Sequence, residues 1–325
     1  MKAPAFWQNH NLISVLFTPL GYLYQGLGWV RTRMTKPYRS SLPVLCVGNL
    51  TSGGTGKTPL TAWLADRLTQ KGYKPVILTR GYGGSLKGPL LVSSEHKAEQ
   101  CGDEPLLLRQ YADIVVSRNR AEGAAFIESQ QKFDIIIMDD GFQNPQLQKD
   151  MVILVFDGAI GIQNGKLFPA GPLRTSVDKG LKQADMICVN GKDQTQISSF
   201  SKMVPCYEFT LSPSALIAPP HDKKRYLAFA GIGRPSRFFE SLEQTGYEVI
   251  ETHSFGDHHM YRPVELEALA QAAQKQEALL ITTEKDWVRL PKIWQSRVAY
   301  LPVQASFDAS IIKDIDKKLQ RLAQR

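Results

Sequence analysis

Cysteine is scarce in this sequence. Its 325 residues include only Cys46, Cys101, Cys188 and Cys206, and no Cys-x-x-Cys pair occurs. The pattern therefore indicates neither a zinc site nor a dithiol redox motif. Widely spaced single cysteines are typical of small buried residues in a reducing compartment, so we expect a cytoplasmic protein.

Extremes of composition are also absent. Hydrophobic residues make up 43% of the chain and charged residues 22%, which are ordinary globular values and argue against disorder or many membrane spans. The length suits one large domain or two modest ones. The formal net charge of +8 suggests an anionic partner: a nucleotide, a phospholipid surface, a phosphorylated substrate or nucleic acid. A basic surface without such a partner is the alternative.

Charged side chains are missing from residues 3–30, and four basic residues then follow between positions 31 and 39. Leucines recur at helical spacing over 12–30, and such a helix would be about 28 Å long, close to the thickness of a bilayer core. No small-residue cleavage site follows, so a signal peptide is not indicated.

Three structures compete for this segment: a transmembrane span, a buried helix and a helix lying in the membrane interface. Pro19, Gly21, Gly26 and Gly28 interrupt the apolar run. The interfacial helix fits best, because the basic residues at its end would meet anionic headgroups.

Apolar segments typical of strands alternate with segments of helical periodicity from residue 42 onwards. The predicted strands are 42–49, 75–79, 114–116, 134–138 and 151–156, and the predicted helices are 58–71, 105–111 and 120–130. This alternation predicts an α/β fold with a mostly parallel sheet and helices on both faces.

Prolines and a charged run at 213–225 predict a linker, after which the α/β pattern starts again. The predicted elements are strands 226–230, 248–251, 278–282 and 298–302, with helices 236–244 and 263–276. We therefore predict three parts: an N-terminal membrane-interface helix with a basic collar at 1–40, a larger domain at 41–225, and a smaller α/β domain at 226–325.

The strongest motif lies between the first predicted strand and the first predicted helix of the larger domain, where a P-loop belongs. It reads Thr51-Ser52-Gly53-Gly54-Thr55-Gly56-Lys57-Thr58. Glycines let successive amides turn toward phosphate oxygens, Lys57 can reach the β- and γ-phosphates, and the Thr58 hydroxyl can ligate Mg²⁺. Thr51 stands where the P-loop pattern begins with glycine, and a simple Gly-rich turn is the alternative.

Acidic residues suggest a metal and a base near this loop. Asp139 and Asp140 end an apolar strand, as in a Walker B element, where a carboxylate can hold Mg²⁺. Asp103 precedes Glu104 and Pro105, a pattern that predicts either a helix N-cap or a general base.

Basic residues follow two other strands. Arg80 comes after one predicted strand, and Arg118 and Arg120 come after the next. Open α/β sheets bind ligands at strand ends, so these side chains can neutralise phosphate charge, although each could equally be a solvated surface residue.

Two further motifs are negative results. The run Asp257-His258-His259 has no third ligand at zinc spacing. The runs Asn190-Gly191-Lys192-Asp193 and Thr283-Glu284-Lys285-Asp286 both lack the residue order that recognises guanine, which argues against GTP.

The ordered set of motifs resembles the tetraacyldisaccharide 4'-kinase family over nearly the whole chain. The matching segments are 47–50, the P-loop with Pro59, 79–83, 102–105, Asp139-Asp140-Gly141-Phe142-Gln143, 169–174, 228–233, Asp257-His258 and 283–286. Thr175 departs from the family, whose members usually carry glutamate after the Pro-Leu-Arg turn.

This resemblance implies an ATP- and Mg²⁺-dependent kinase that phosphorylates the 4'-hydroxyl of a tetraacylated glucosamine disaccharide 1-phosphate, giving lipid IVA. It implies a lipid A precursor and the anionic inner-membrane surface, on its cytoplasmic face, as partners, with no nucleic acid. By motif position it implies Asp103 as base, Asp139 and Asp140 as metal and active-site acids, and His258 as a supporting residue. With the residues discussed above, we predict Lys57 and Asp140 as further catalytic residues, Thr58 at the metal, and substrate contacts from Asn49, Arg80, Arg118 and Arg120.

The sequence is also compatible with two alternatives. One is a soluble P-loop kinase for a small metabolite, with residues 1–30 packed on the fold. The other is a P-loop ATPase switch that transfers no phosphate to lipid.

Overall fold

The protein's structure is a computed structural model that describes residues 4–9, 11–219 and 225–324. Within these residues the strands form one sheet of nine and one of four. In chain order the strands are β1 (Val44–Gly48), β2 (Pro75–Thr79), β3 (Leu90–Leu91), β4 (Asp113–Val116), β5 (Ile135–Asp139), β6 (Met151–Asp157), β7 (Met186–Asn190), β8 (Cys206–Pro213), β9 (Arg225–Ala230), β10 (Glu248–Ser254), β11 (Leu279–Thr283), β12 (Ala299–Leu301) and β13 (Val303–Ser306).

Helices cover both faces of the larger sheet, and further helices lie at the two ends of the chain. They are α1 (Leu12–Leu16), α2 (Thr18–Met34), α3 (Lys57–Gln70), α4 (Ala98–Cys101), α5 (Asp103–Leu108), α6 (Arg120–Ser129), α7 (Val177–Leu181), α8 (Pro235–Gln244), α9 (Pro263–Lys275), α10 (Glu284–Trp287), α11 (Lys292–Gln295) and α12 (Ala309–Ala323), with 3₁₀ turns at Ala5–Trp7 and Ile197–Lys202.

The larger sheet has the strand order β13-β8-β7-β6-β1-β5-β2-β4-β3. Its inner strands run parallel, and the edge strands β3 and β13 pair antiparallel. Every residue of β1, β2, β5 and β6 is buried, as expected for strands covered on both faces. The predicted α/β fold with a mostly parallel sheet is confirmed.

Neighbouring parallel strands bring several polar residues to one edge of this sheet. The strand β1 ends directly before the P-loop, β5 ends at Asp139, β6 at Asp157 and β7 at Asn190. Because parallel strands share their carboxyl edge, these residues meet in one cleft. The strands β7 and β8 were not predicted.

The smaller sheet is parallel throughout and has the order β10-β9-β11-β12. Its predicted strands are all present, and β10 runs on to Ser254, past the predicted end at 251. Of the predicted linker 213–225, residues 220–224 lie outside the described residues.

The predicted boundary of the smaller domain needs one correction, because the C-terminal segment returns to the larger sheet. The strand β13 pairs with β8, and Phe307 stacks on Phe209 with ring centroids 5.3 Å apart. Helix α12 buries its apolar face against the same core and pairs Asp316 with Arg67 of α3 at 2.6 Å. Residues 303–323 therefore belong with the larger domain. An amphipathic pattern shows that a helix covers a core, but it does not show which sheet the helix covers.

The N-terminal helices lie on the surface of the larger domain. They are anchored at a few points: the Trp7 indole donates to the Pro169 carbonyl at 3.0 Å, and the Gly21 backbone packs so closely on Leu167 that a Cβ there would lie 3.1 Å away. Most of their apolar side chains face outward, including Leu12, 87% exposed, and Met34, 81% exposed. The buried-helix alternative is therefore wrong.

In the described part of the chain, no helix is both long enough and apolar enough to cross a bilayer.

Candidate active site

The P-loop connects β1 to α3 and has the backbone that phosphate binding requires. Gly53 and Gly56 have φ values of 126° and 93°, in the left-handed region that favours glycine. A Cβ added at Gly53 or Gly54 would meet nothing within 4 Å. Among the described residues, the amides of 53–56 donate no hydrogen bond within the protein. This open loop of unpaired amides fits a triphosphate.

Neighbouring residues hold the loop in this shape. Asn49 is fully buried, and its side-chain amide donates to the Thr51 carbonyl at 2.7 Å. The Ser52 amide donates to the Pro172 carbonyl at 2.8 Å, and Gln143 donates to the Asn49 carbonyl at 2.8 Å. The prediction that Asn49 contacts substrate is corrected accordingly: a fully buried side chain bonded to the loop supports the P-loop from behind.

The two strand-end acids have opposite electrostatic surroundings. Asp139 is buried and accepts a hydrogen bond from Thr61 at 3.0 Å. Burial, with the nearby charges of Glu104 and Asp140, raises the pKa of Asp139 to about 7.

Asp140 has φ 47°, an unusual conformation for a residue other than glycine. Its carboxylate lies 3.6 Å from the Lys57 ammonium and 3.4 Å from the Arg174 guanidinium. Desolvation opposes ionisation, but the charges of Lys57 and Arg174 outweigh it and hold the pKa of Asp140 below its usual range.

This pair of acids suits a magnesium ion held partly by nucleotide. Among the described residues, no group of three or more His, Cys, Asp or Glu side chains is arranged as a metal cage. Magnesium is commonly bound by one or two carboxylates together with substrate phosphates, and Asp139, Asp140 and Thr58 all line the same cleft.

Arg174 was not predicted as a site residue. It lies in the Pro-Leu-Arg turn, which the family resemblance had marked as a matching segment. Thr175, at the position where the family usually has glutamate, is half-buried directly after it.

Asp103 and His258 come together across the two domains, although 155 residues separate them in the chain. The Nδ1 atom of His258 lies 3.0 Å from Oδ2 of Asp103, and the Arg289 Nε donates to the same oxygen at 3.0 Å. Burial disfavours the charged carboxyl, but the His258 hydrogen bond and the charges of Lys285 and Arg289 hold the pKa of Asp103 well below its usual range.

The N-cap alternative for Asp103 is wrong. Gly102 occupies the cap position of α5, and Asp103 is the first residue of the helix. Among the described residues, its Oδ1 accepts from the adjacent Glu104 amide, at 3.0 Å, and from no amide further into the helix. His258 has φ 58°, so both Asp140 and His258 hold an uncommon backbone conformation at this site.

The three predicted arginines differ in their surroundings. Arg80 and Arg118 are exposed and line the cleft, and Arg118 also donates to the Gly84 carbonyl at 3.2 Å. Arg120 is buried and donates to the Ser117 carbonyl. Burial lowers the pKa of Arg120 to about 10, although the nearby Asp139 charge opposes the change.

Asp193, the acidic residue of the first out-of-order run, takes part in a local turn. Asp193, in the out-of-order run after β7, accepts hydrogen bonds from the amides of Thr195, Ile197 and Ser198 at 3.0, 3.1 and 2.7 Å. Its carboxylate is occupied by the local turn.

Most of the predicted site residues line one cleft of about 1250 Å³ between the two sheets, although Asn49 and Asp103 do not. Its walls contain the P-loop, both strand-end acids, His258, Lys285 and a set of arginines: Arg31, Arg80, Arg118, Arg120, Arg174 and Arg237. The basic lining suits polyanionic ligands.

A strand, P-loop and helix beside paired strand-end acids define this protein as a P-loop nucleotide-binding protein. A family model described as tetraacyldisaccharide-1-P 4'-kinase matches residues 13–320. The chain belongs to the tetraacyldisaccharide 4'-kinase family.

Individual relatives agree with this assignment. The chain is 44% identical over 315 residues to the tetraacyldisaccharide 4'-kinase of Paramagnetospirillum magneticum, covering 95% of each protein. It is 42% identical over 345 residues to that of Parvibaculum lavamentivorans, covering 100% of each. Among solved structures it resembles LpxK from Aquifex aeolicus, crystallised in complex with ATP, with a TM-score of 0.77, 26% identity and coverage of 96% of this chain and 99% of that one.

Proposed function

We propose that this protein transfers the γ-phosphate of ATP to the 4'-hydroxyl of tetraacyldisaccharide 1-phosphate, forming lipid IVA at the cytoplasmic face of the inner membrane. One observation carries the proposal. The P-loop of the larger domain and His258 of the smaller domain line a single basic cleft, and Asp103, hydrogen-bonded to His258, borders it. A nucleotide phosphate and an acceptor hydroxyl can therefore be held side by side.

The nucleotide end of the cleft is the P-loop. The unpaired amides of 53–56 and Lys57 would hold the phosphates, while Thr58, Asp139 and Asp140 would hold Mg²⁺. When bound, Mg²⁺ neutralises charge on the phosphates. Lys57 and Arg174 flank Asp140 on the same side of the cleft and add positive charge where the phosphoryl group is transferred.

The structure supports a different division of labour between Asp103 and His258 from that expected from the sequence. His258 lines the cleft, whereas the Asp103 side chain is 7% exposed and both of its oxygens already accept hydrogen bonds. We infer that Asp103 orients the imidazole through Nδ1 and that Nε2 accepts the proton of the 4'-hydroxyl as its oxygen bonds to the γ-phosphorus and ADP leaves.

The substrate end of the cleft carries the positive charge of Arg80 and Arg118, with Arg120 behind them. A sugar that already carries a 1-phosphate is anionic, and exposed guanidinium groups bind phosphate well. These three residues stay our candidates for substrate binding.

The N-terminal helices supply the proposed membrane contact. Exposed apolar side chains along α1 and α2 continue into Arg31 and Arg33 at the end of α2. Tyr24 and Arg31 also line the catalytic cleft, so a lipid entering from the bilayer surface would pass directly from these helices to the P-loop.

One assay tests the function against its alternatives. Purified protein is incubated with ATP labelled at the γ-phosphate and with disaccharide 1-phosphate in mixed micelles, and the products are separated by chromatography. Labelled lipid, absent with Lys57→Ala, supports the proposal. Label released only as inorganic phosphate would indicate an ATPase switch, and transfer to a water-soluble sugar but not to lipid would indicate a metabolite kinase.

A further inference from the structure

A buried polar network lies behind the wall of the cleft, in the smaller domain. At its centre, Asp286 is fully buried and receives hydrogen bonds from the Gly231 amide at 3.1 Å, the Tyr261 hydroxyl at 2.9 Å and the Thr283 hydroxyl at 2.6 Å. A buried carboxylate needs such donors to stay charged. The proposed chemistry does not use this network directly.

Arg289 extends the network toward the site. Its side chain is 1% exposed. Its Nη1 donates to Asp286 and to the Gly231 carbonyl, each at 3.0 Å, and its Nε donates to Asp103 at 3.0 Å. One guanidinium thus bridges a fixed carboxylate in the smaller domain and the carboxylate that contacts His258.

The bridge leaves Asp103 little freedom. Its Oδ2 accepts from both His258 and Arg289, and its Oδ1 accepts from the Glu104 amide. Lys285, at 3.9 Å from Oδ2, adds charge without a hydrogen bond. Arg289 is therefore the group that sets where Oδ2 lies, and Oδ2 sets the plane of the His258 ring.

Arg289 differs from an ordinary interdomain ion pair in its geometry. A guanidinium presents its donors in a rigid plane, so two of its nitrogens can fix two carboxylates at one relative orientation. The Gly231 amide donates to Asp286, and Arg289 donates to the Gly231 carbonyl. These two bonds also fix the following turn, where Ile232 and Gly233 line the cleft.

We propose that Arg289, itself fixed by Asp286, is a positioning residue for the phosphotransfer, holding Asp103 so that His258 faces the acceptor hydroxyl. The proposal rests on the proposed function. It predicts that loss of Arg289 affects turnover more than nucleotide binding, because the P-loop lies in the other domain and does not contact Arg289.

The test compares Arg289→Met with Arg67→Met. Arg67 forms a fork to the single carboxylate of Asp316, at 2.9 and 2.6 Å, in the last turn of α3, whereas the P-loop adjoins the first turn. We expect Arg289→Met to lower kcat for labelled lipid formation by tenfold or more, with KM for ATP within about twofold. Arg67→Met should lower the melting temperature and leave kcat unchanged.

Arg289→Lys gives the conservative comparison. Lysine keeps the charge but offers a single nitrogen that cannot reproduce the fork, so its kcat should lie between those of wild type and Arg289→Met. If Arg289→Met does not fold, Arg289→Lys and Tyr261→Phe decide, and each should lower kcat severalfold at unchanged KM for ATP.

The contrary outcomes separate the two proposals. Wild-type kcat in Arg289→Met, or in both conservative variants where the Met variant does not fold, overturns the positioning role while leaving the kinase assignment in place. Failure of the wild-type protein to label the lipid overturns the function and the positioning role with it.

Discussion

Asp103 of the larger domain and His258 of the smaller domain are joined by a hydrogen bond of 3.0 Å between Oδ2 and Nδ1. The bond joins the two domains, so the pair exists only when they are in contact. Both residues were candidates from the sequence, but which of them faces the substrate is a matter of three-dimensional arrangement.

Exchanging each member of the pair separately tests the division of labour. His258→Gln should lower kcat on the order of a hundredfold or more, because it removes the proton acceptor. Asp103→Asn should lower it less, since an amide oxygen can still accept from Nδ1 but carries no charge. ATP affinity, measured by calorimetry, should stay unchanged in both. If Asp103→Asn abolishes turnover while His258→Gln keeps a tenth or more of it, Asp103 is the base.

Acid unfolding tests the lowered pKa of Asp103 in the folded protein. Its folded pKa lies below the ordinary value of 3.8, so the unfolded chain takes up this proton first as the pH falls. Its stabilising contribution is therefore complete above about pH 5 and is lost as the pH drops below the ordinary carboxyl value.

The expected result is a gap in melting temperature between wild type and Asp103→Asn that is present at pH 5 and narrows below pH 4. Thermal unfolding followed by circular dichroism in a buffer series measures it. A gap that widens below pH 4 would contradict the depressed pKa of Asp103.

Metal binding should depend on pH through Asp139. Burial raises the pKa of Asp139 to about 7, so the carboxyl is protonated below that pH and must lose its proton to ligate a cation. Mn²⁺ affinity in the presence of a non-hydrolysable ATP analogue should weaken about tenfold for each unit below pH 7, beyond the change for the free nucleotide.

Electron paramagnetic resonance of bound Mn²⁺ at pH 6, 7 and 8 makes this measurement. Asp139→Asn is the control, because its remaining pH dependence belongs to the nucleotide and to other ligands. Identical profiles for wild type and Asp139→Asn would exclude Asp139 as the titrating ligand.

Prediction from sequence succeeded where the pattern is local. The P-loop was found because strand, glycines and Lys57 adjoin in the chain, and the apolar runs predicted the buried strands around it. Arg289 could not be found in this way. Its partner Asp103 is 186 residues away, and a basic residue in the turn after a short helix has no local feature that distinguishes a buried bridge from a solvated side chain. The return of α12 to the larger sheet was missed for the same reason.

The membrane contact can be tested by charge rather than by deletion. Leu16, Leu23 and Leu27 are 77%, 61% and 64% exposed on the N-terminal helices, so replacing all three with aspartate should leave the fold intact. Burial of each leucine in a bilayer interface is worth about 1.5–3 kcal/mol, and the triple variant should therefore lose more than about a hundredfold in affinity for vesicles containing phosphatidylglycerol, measured by sedimentation.

Ile293→Asp, at a position 68% exposed on the smaller domain, is the matched control and should sediment like wild type. Kinase activity on substrate dispersed in detergent should survive in both variants, because the P-loop and the Asp103–His258 pair are untouched. Equal sedimentation of wild type and the triple variant would show that these helices do not hold the protein on the membrane.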